Sequence, residues 1–78
     1  MEGDSRNQRN NSMNVQINGD DRELPDSTNL YGYLTSLGVD LSFIAVAVNG
    51  EVVPRDQLID VTLFNGDRVE IVRAVGGG

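Results

Sequence analysis

Cysteine, histidine, lysine and tryptophan are all missing from the 78 residues. Without cysteine there is no disulfide, no zinc–thiolate site and no thiol nucleophile. Without histidine the chain lacks the usual proton shuttle near neutral pH and the commonest metal ligand. Without lysine no side chain can form a Schiff base or an isopeptide branch. No apolar run approaches the roughly 18 residues that a membrane span needs, and the first residues lack the apolar stretch of a signal peptide. A soluble, cytoplasmic protein is expected. The length admits one domain, and at this size only about 60% of the unfolded surface is buried on folding. That leaves little room for a deep, preformed catalytic pocket, and the chain is expected not to be an enzyme.

What is present is mostly acid. Twelve Asp and Glu stand against six Arg, a formal net charge of -6. Arg6 and Arg9 offset Glu2 and Asp4 in residues 1–12, so the whole excess lies in residues 13–78. A nucleic-acid backbone or an anionic lipid surface would be repelled, so neither nucleic acid nor membrane is expected as a partner. A basic protein surface would be steered toward the domain, although the acidity can equally serve solubility alone. No metal site is expected, since a lone turn carboxylate such as Asp67 does not supply several convergent oxygens; its expected role is to satisfy turn amides. Arg55 reads as an exposed turn arginine, and Tyr31 and Tyr33 as packing or surface residues.

Along the chain, residues 1–12 (MEGDSRNQRNNS) carry no aliphatic or aromatic residue after Met1. They cannot bury enough surface to offset the entropy of ordering and are expected to be a disordered polar extension. From Met13, apolar Met13, Val15 and Ile17 alternate with Asn14, Gln16 and Asn18, the period of a half-buried strand. Asn18-Gly19 suits a tight hairpin turn, and Arg22 to Leu24 would return as a short strand ended by Pro25. Asp26-Ser27-Thr28-Asn29 can all accept a helix N-terminal hydrogen bond. Leu30, Tyr33, Leu34 and Leu37 then fall on one helix face, with Gly38 at the C-terminal cap.

Phe43 to Val48 is a continuous apolar run, expected of a strand that is covered on both faces or lies centrally. Asn49-Gly50 turns it into Glu51-Val52-Val53, which stops at Pro54. Residues 55–64 show no clean period and read as an irregular or single-turn segment. Asn65-Gly66-Asp67 makes a third turn, and Arg68 to Val75 is the last strand. The order β-β-α-β-β-β predicts an α+β domain over residues 13–75, a β-grasp (ubiquitin-like) arrangement whose mixed sheet has one helix packed across one face. The first and last strands should be parallel neighbours through a right-handed crossover. The expected core is Met13, Val15, Ile17, Leu30, Leu34, Leu37, Ile44, Val46, Val48, Val69 and Ile71. Ala45, Ala47, Val72 and Ala74 should share the opposite sheet face with Val75 beyond them, a small apolar patch suited to docking a partner.

The sequence finishes Gly76-Gly77-Gly78. Such an ending can be a linker or a frayed end. Placed directly after the last strand, it reads instead as an arm that presents a reactive terminal carboxylate. A carboxylate is a poor electrophile and needs activation, as by attack on the α-phosphate of Mg-ATP, in a site that excludes water. A narrow channel admits backbone only where no Cβ obstructs it, and glycine supplies that. Residues 74–78, extended at about 3.3 Å each, would reach roughly 16 Å.

Two runs carry a specific resemblance: IAVAVNGEVVPRDQL (Ile44 to Leu58) and NGDRVEIVRAVGGG (Asn65 to Gly78). With Val48-Asn49-Gly50, Val53-Pro54-Arg55, the Gly66-Asp67 turn and the terminal glycines, residues 13–78 resemble the ThiS sulfur carriers of thiamine biosynthesis. The resemblance implies that Gly78 is adenylated by a ThiF-type enzyme and converted to a thiocarboxylate, with Gly76 and Gly77 as the threading segment. It implies thiazole synthase as the sulfur acceptor and a separate sulfur-donor protein. It implies no cofactor bound to this chain, ATP and Mg being used by the activating partner. Leu30-Tyr31-Gly32-Tyr33 stands where the family is more charged, and residues 1–12 have no counterpart in it. Other functions remain open. The small subunit of molybdopterin synthase shares the fold and tail, although that family commonly has proline where this chain has Arg73-Ala74-Val75. A ubiquitin-like protein modifier and a regulatory interaction module are the others.

Overall fold

A computed structural model describes residues 12–73. Its elements are β1 (Ser12–Ile17), β2 (Asp20–Pro25), α1 (Leu30–Ser36), β3 (Ile44–Val48), β4 (Glu51–Val53) and β5 (Arg68–Arg73). Short 3₁₀ segments occupy Leu41–Phe43 and Arg55–Asp60. The five strands form one mixed sheet in the order β2-β1-β5-β3-β4. β1 and β5 are parallel, with Gln16 opposite Arg68 and Ile17 opposite Val69; β3 runs antiparallel to both β5 and β4. This is the α+β β-grasp arrangement that the sequence order predicts. The expected domain limits at 1–12 and 76–78 fall largely outside the described residues, and β1 begins at Ser12.

Two turns show why the strands reverse where they do. Asn18 and Gly19 have φ of 51° and 87°, and Asn49 and Gly50 have 53° and 87°. Positive φ at both central residues is the twist that joins antiparallel strands in two residues, and Asn-Gly is the pair that tolerates it. Both hairpins therefore sit where the sequence predicts.

The helix starts at Asn29, whose Oδ1 accepts the Gly32 N–H at 3.0 Å. A capping side chain of this kind is worth about 0.5–2 kcal/mol. Asn29 does more, because its Nδ2 donates to the Ile59 carbonyl at 2.8 Å. Backbone bonds from Leu30 N–H to Val61 O and from Leu63 N–H to Thr28 O, both 2.9 Å, fasten the same junction. The helix start is thereby tied to residues 55–64, and that segment closes one end of the core.

Met13, Val15, Ile17, Leu30, Leu34, Val46 and Val69 are buried as expected. Ile44, Val48 and Ile71 are half-buried against them. Leu37 is not a core residue: it is 47% exposed. The helix ends at Ser36, and Leu37 is its C-cap, one position beyond the helix whose buried residues are Leu30 and Leu34. Two core members come instead from the segment without a clean period, Leu58 and Leu63, at 2% and 0% exposure. β3 lies between two strands, but one face of it stays open, so the continuous apolar run does not mean cover on both sides. Phe43 falls in the 3₁₀ turn before β3 and is exposed. β5 is described as far as Arg73, short of the expected Val75.

Candidate functional site

Pairing register decides which side chains meet on the face away from α1. Ala45 of β3 stands opposite Val72 of β5, and Ala47 stands opposite both Glu70 of β5 and Val52 of β4. Directly paired residues share a face, so the expected trio of Ala45, Ala47 and Val72 is brought together. Val72 is 61% exposed and Val52 is 74% exposed. Together with Glu70 they line a shallow recess of about 100 Å³. Ala74 and Val75 lie outside the described residues, as do Gly76, Gly77 and Gly78.

Two members of the recess were not expected from the sequence. Val52 adds the largest apolar surface, and Glu70 sets one carboxylate among alanines and valines. The signal for Glu70 was present, since it lies two residues before Val72 and therefore on the same face of a strand. Next along β5 is Arg68, opposite Gln16. The open face thus changes from apolar over β5-β3-β4 to polar over β1 and β2, where Asn14, Gln16, Asp21 and Glu23 are exposed.

Asp67 behaves as a turn residue. Its Oδ2 accepts the Phe64 N–H at 2.8 Å and its Oδ1 accepts from Asn49 Nδ2 at 3.0 Å. The Asn49 Oδ1 in turn accepts the Arg68 N–H at 3.0 Å, so the β3–β4 turn is stitched to the start of β5. Arg55 is exposed at the start of its 3₁₀ segment, Tyr31 is exposed, and Tyr33 packs partly against the core. Among the described residues no group of three or more acidic side chains is gathered to hold a metal ion. No helix among them is long and apolar enough to cross a membrane.

A mixed five-stranded sheet with one helix packed across one face and the other face left partly apolar and open defines the β-grasp class of small domains. The ThiS family model matches residues 15–78, and the chain belongs to that family. The crystal structure of the thiamine biosynthesis protein ThiS from Geobacter metallireducens superposes with a TM-score of 0.74 at 33% identity, covering 85% of this chain and 100% of that one. The solution structure of a thiamine biosynthesis protein from the same organism gives a TM-score of 0.69 at 33% identity, over 85% of this chain and 88% of that one. Thiazole synthases of Paramagnetospirillum magneticum and Magnetococcus marinus are 39% and 35% identical over 66 residues, 85% of this chain. The chain spans about a fifth of the length of those relatives, 20% in each.

Proposed function

We infer that the protein is a sulfur carrier of thiamine biosynthesis whose charged group is the carboxylate of Gly78, and that it is not itself the catalyst. Membership of the ThiS family carries this reading, and the open face beside β5 supports it. The reading requires that the Gly78 carboxylate be free in the mature protein. In the activation step a carboxylate oxygen attacks the α-phosphate of Mg-ATP held by a ThiF-type partner, and pyrophosphate leaves. A sulfur nucleophile from a donor protein then attacks the acyl carbon, and AMP departs with the bonding electron pair. Where that sulfur arrives as hydrosulfide, loss of its proton leaves the chain end as a thiocarboxylate; where it arrives on a donor persulfide, a thiol reductant supplies the two electrons that cleave the acyl disulfide into the thiocarboxylate and the donor thiolate. Thiazole synthase accepts that sulfur, consistent with the thiazole synthases among the relatives. Gly76 and Gly77 give the threading segment its narrow cross-section, because no Cβ projects from either.

Incubation with the adenylating partner, Mg-ATP and a sulfur donor is expected to raise the intact mass by the difference between one sulfur and one oxygen atom. An unchanged mass beside a partner shown to be active would refute the carrier reading.

Ala45, Ala47 and Val72, continued by Ala74 and Val75, form the docking surface in this reading, with Val52 and Glu70 completing it. Ala45→Glu places a charge where an apolar partner surface would exclude water, and burying an unpaired charge is costly. Because Ala45 is exposed in the domain, its stability is expected to change by no more than about 0.5 kcal/mol. Affinity for the adenylating partner is expected to fall at least about tenfold, roughly 1.4 kcal/mol. Calorimetry of both proteins checks this.

A further inference from the structure

The recess on the open face is lined by Ala45, Val46, Ala47, Val52 and Val72, with Glu70 as its charged member. Glu70 lies on β5, an interior strand between β1 and β3, and stands opposite Ala47. Ala47 in turn is opposite Val52 of β4, and Val72 follows two positions along β5 on the same face. Among the described residues the Glu70 carboxylate has no ion pair or hydrogen bond. Arg68, two positions earlier on that face, stands opposite Gln16 of β1 and does not line the recess. Alanine side chains are short, so a partner surface that packs on Ala45 and Ala47 comes close to the sheet. The longer Glu70 side chain beside them must then enter that surface, and its carboxylate leaves water.

Taking a carboxylate out of water with no partner is costly. A cation set against it offsets that cost and fixes the register of the two surfaces. We propose that Glu70 is a specificity-determining residue of the docking face: the adenylating partner's surface that covers Ala45, Ala47 and Val72 carries a cationic side chain, arginine above all, that meets Glu70 inside an apolar surround. This rests on the docking surface of the carrier reading and deepens it. Arginine fits best because its planar fork gives a carboxylate two parallel hydrogen bonds and is more weakly hydrated than an ammonium. The net charge of -6 steers a basic surface toward the domain but does not orient it, whereas one carboxylate at a fixed point in an apolar recess does. The competing role for Glu70 is to keep the open apolar face from pairing with copies of itself. An apolar replacement separates the two roles, because it leaves the partner's cation unpaired in the first and enlarges the apolar contact in the second.

Glu70→Leu and Glu70→Gln, each in the whole chain, make the test. Glu70 is exposed, so both variants are expected to fold and to melt close to the parent. In titration calorimetry with the ThiF-type partner, the parent is expected to bind at least about tenfold tighter than either variant at low salt. Its affinity is expected to fall more steeply than theirs as salt is added. Binding of E70L as tight as the parent's, or tighter, overturns the assignment and marks Glu70 as a guard against self-association. Equal binding of E70Q and the parent overturns it too, as does an E70Q affinity that loses as much to salt as the parent's. Where Ala45→Glu weakens binding and E70L does not, the docking surface stands and this assignment alone falls. An active partner that binds Ala45→Glu, E70L and E70Q as it binds the parent overturns the docking surface, and this assignment with it.

Discussion

A chain with one alanine added after Gly78 is expected to gain no sulfur at all, while melting at the same temperature as the parent. The added residue moves the carboxylate by about 3.8 Å, several times the misplacement that already costs about 10² in rate. In the carrier reading it also puts a methyl group on the terminal residue, where a channel that threads glycine leaves no room for a Cβ. Among the described residues the buried cluster runs from Met13 to Val69, so the added residue is expected to leave the melting temperature unchanged. Intact mass before the reaction verifies that the extra residue is still in place, and intact mass afterwards reads the outcome. Normal sulfur gain by the extended chain would show that the Gly78 carboxylate is not the charged group. A fall in melting temperature would show that the tail packs on the domain.

The second large effect concerns Leu63. Leu63→Ala is expected to destabilise the domain as severely as Leu34→Ala, since both side chains are wholly buried. Truncating a buried leucine to alanine costs about 2–5 kcal/mol. In a domain of this size each kcal/mol lowers the melting temperature by about 4–8 °C, so a fall of about 8–40 °C is expected in calorimetry. A loss below about 1 kcal/mol would mean that residues 55–64 are an appendage rather than a wall of the core.

That contrast marks the limit of what periodicity can reveal. Leu30 and Leu34 are legible because an α-helix repeats its buried face every three to four residues. Leu58 and Leu63 follow no such rule: one sits in a 3₁₀ segment and the other beside the isolated bridge between Asn29 and Thr62. Their burial is decided by long-range bonds to the helix start, which no local pattern encodes. Leu37 fails in the opposite direction. Its spacing is right, but the helix stops one residue before it. The strands and both Asn-Gly hairpins were readable because their chemistry is local.

The same division runs through the site. Ala45, Ala47 and Val72 followed from strand alternation, each being out of phase with the apolar positions expected to face the helix. Val52 needed the β3–β4 register in addition. The hydrogen bonds between the Asn18 side chain and the Ile71 backbone span 53 positions of sequence, and only the folded topology shows them. Asn18 read simply as a turn residue, which it also is.

β5 is an interior strand of the sheet, parallel to β1 on one edge and antiparallel to β3 on the other. Ladder hydrogen bonds lie across the strands, so traction applied along the chain beyond Arg73 loads the rungs on both edges together, in shear, instead of peeling them off one by one. Tension along β5 is therefore shared by both neighbouring strands at once.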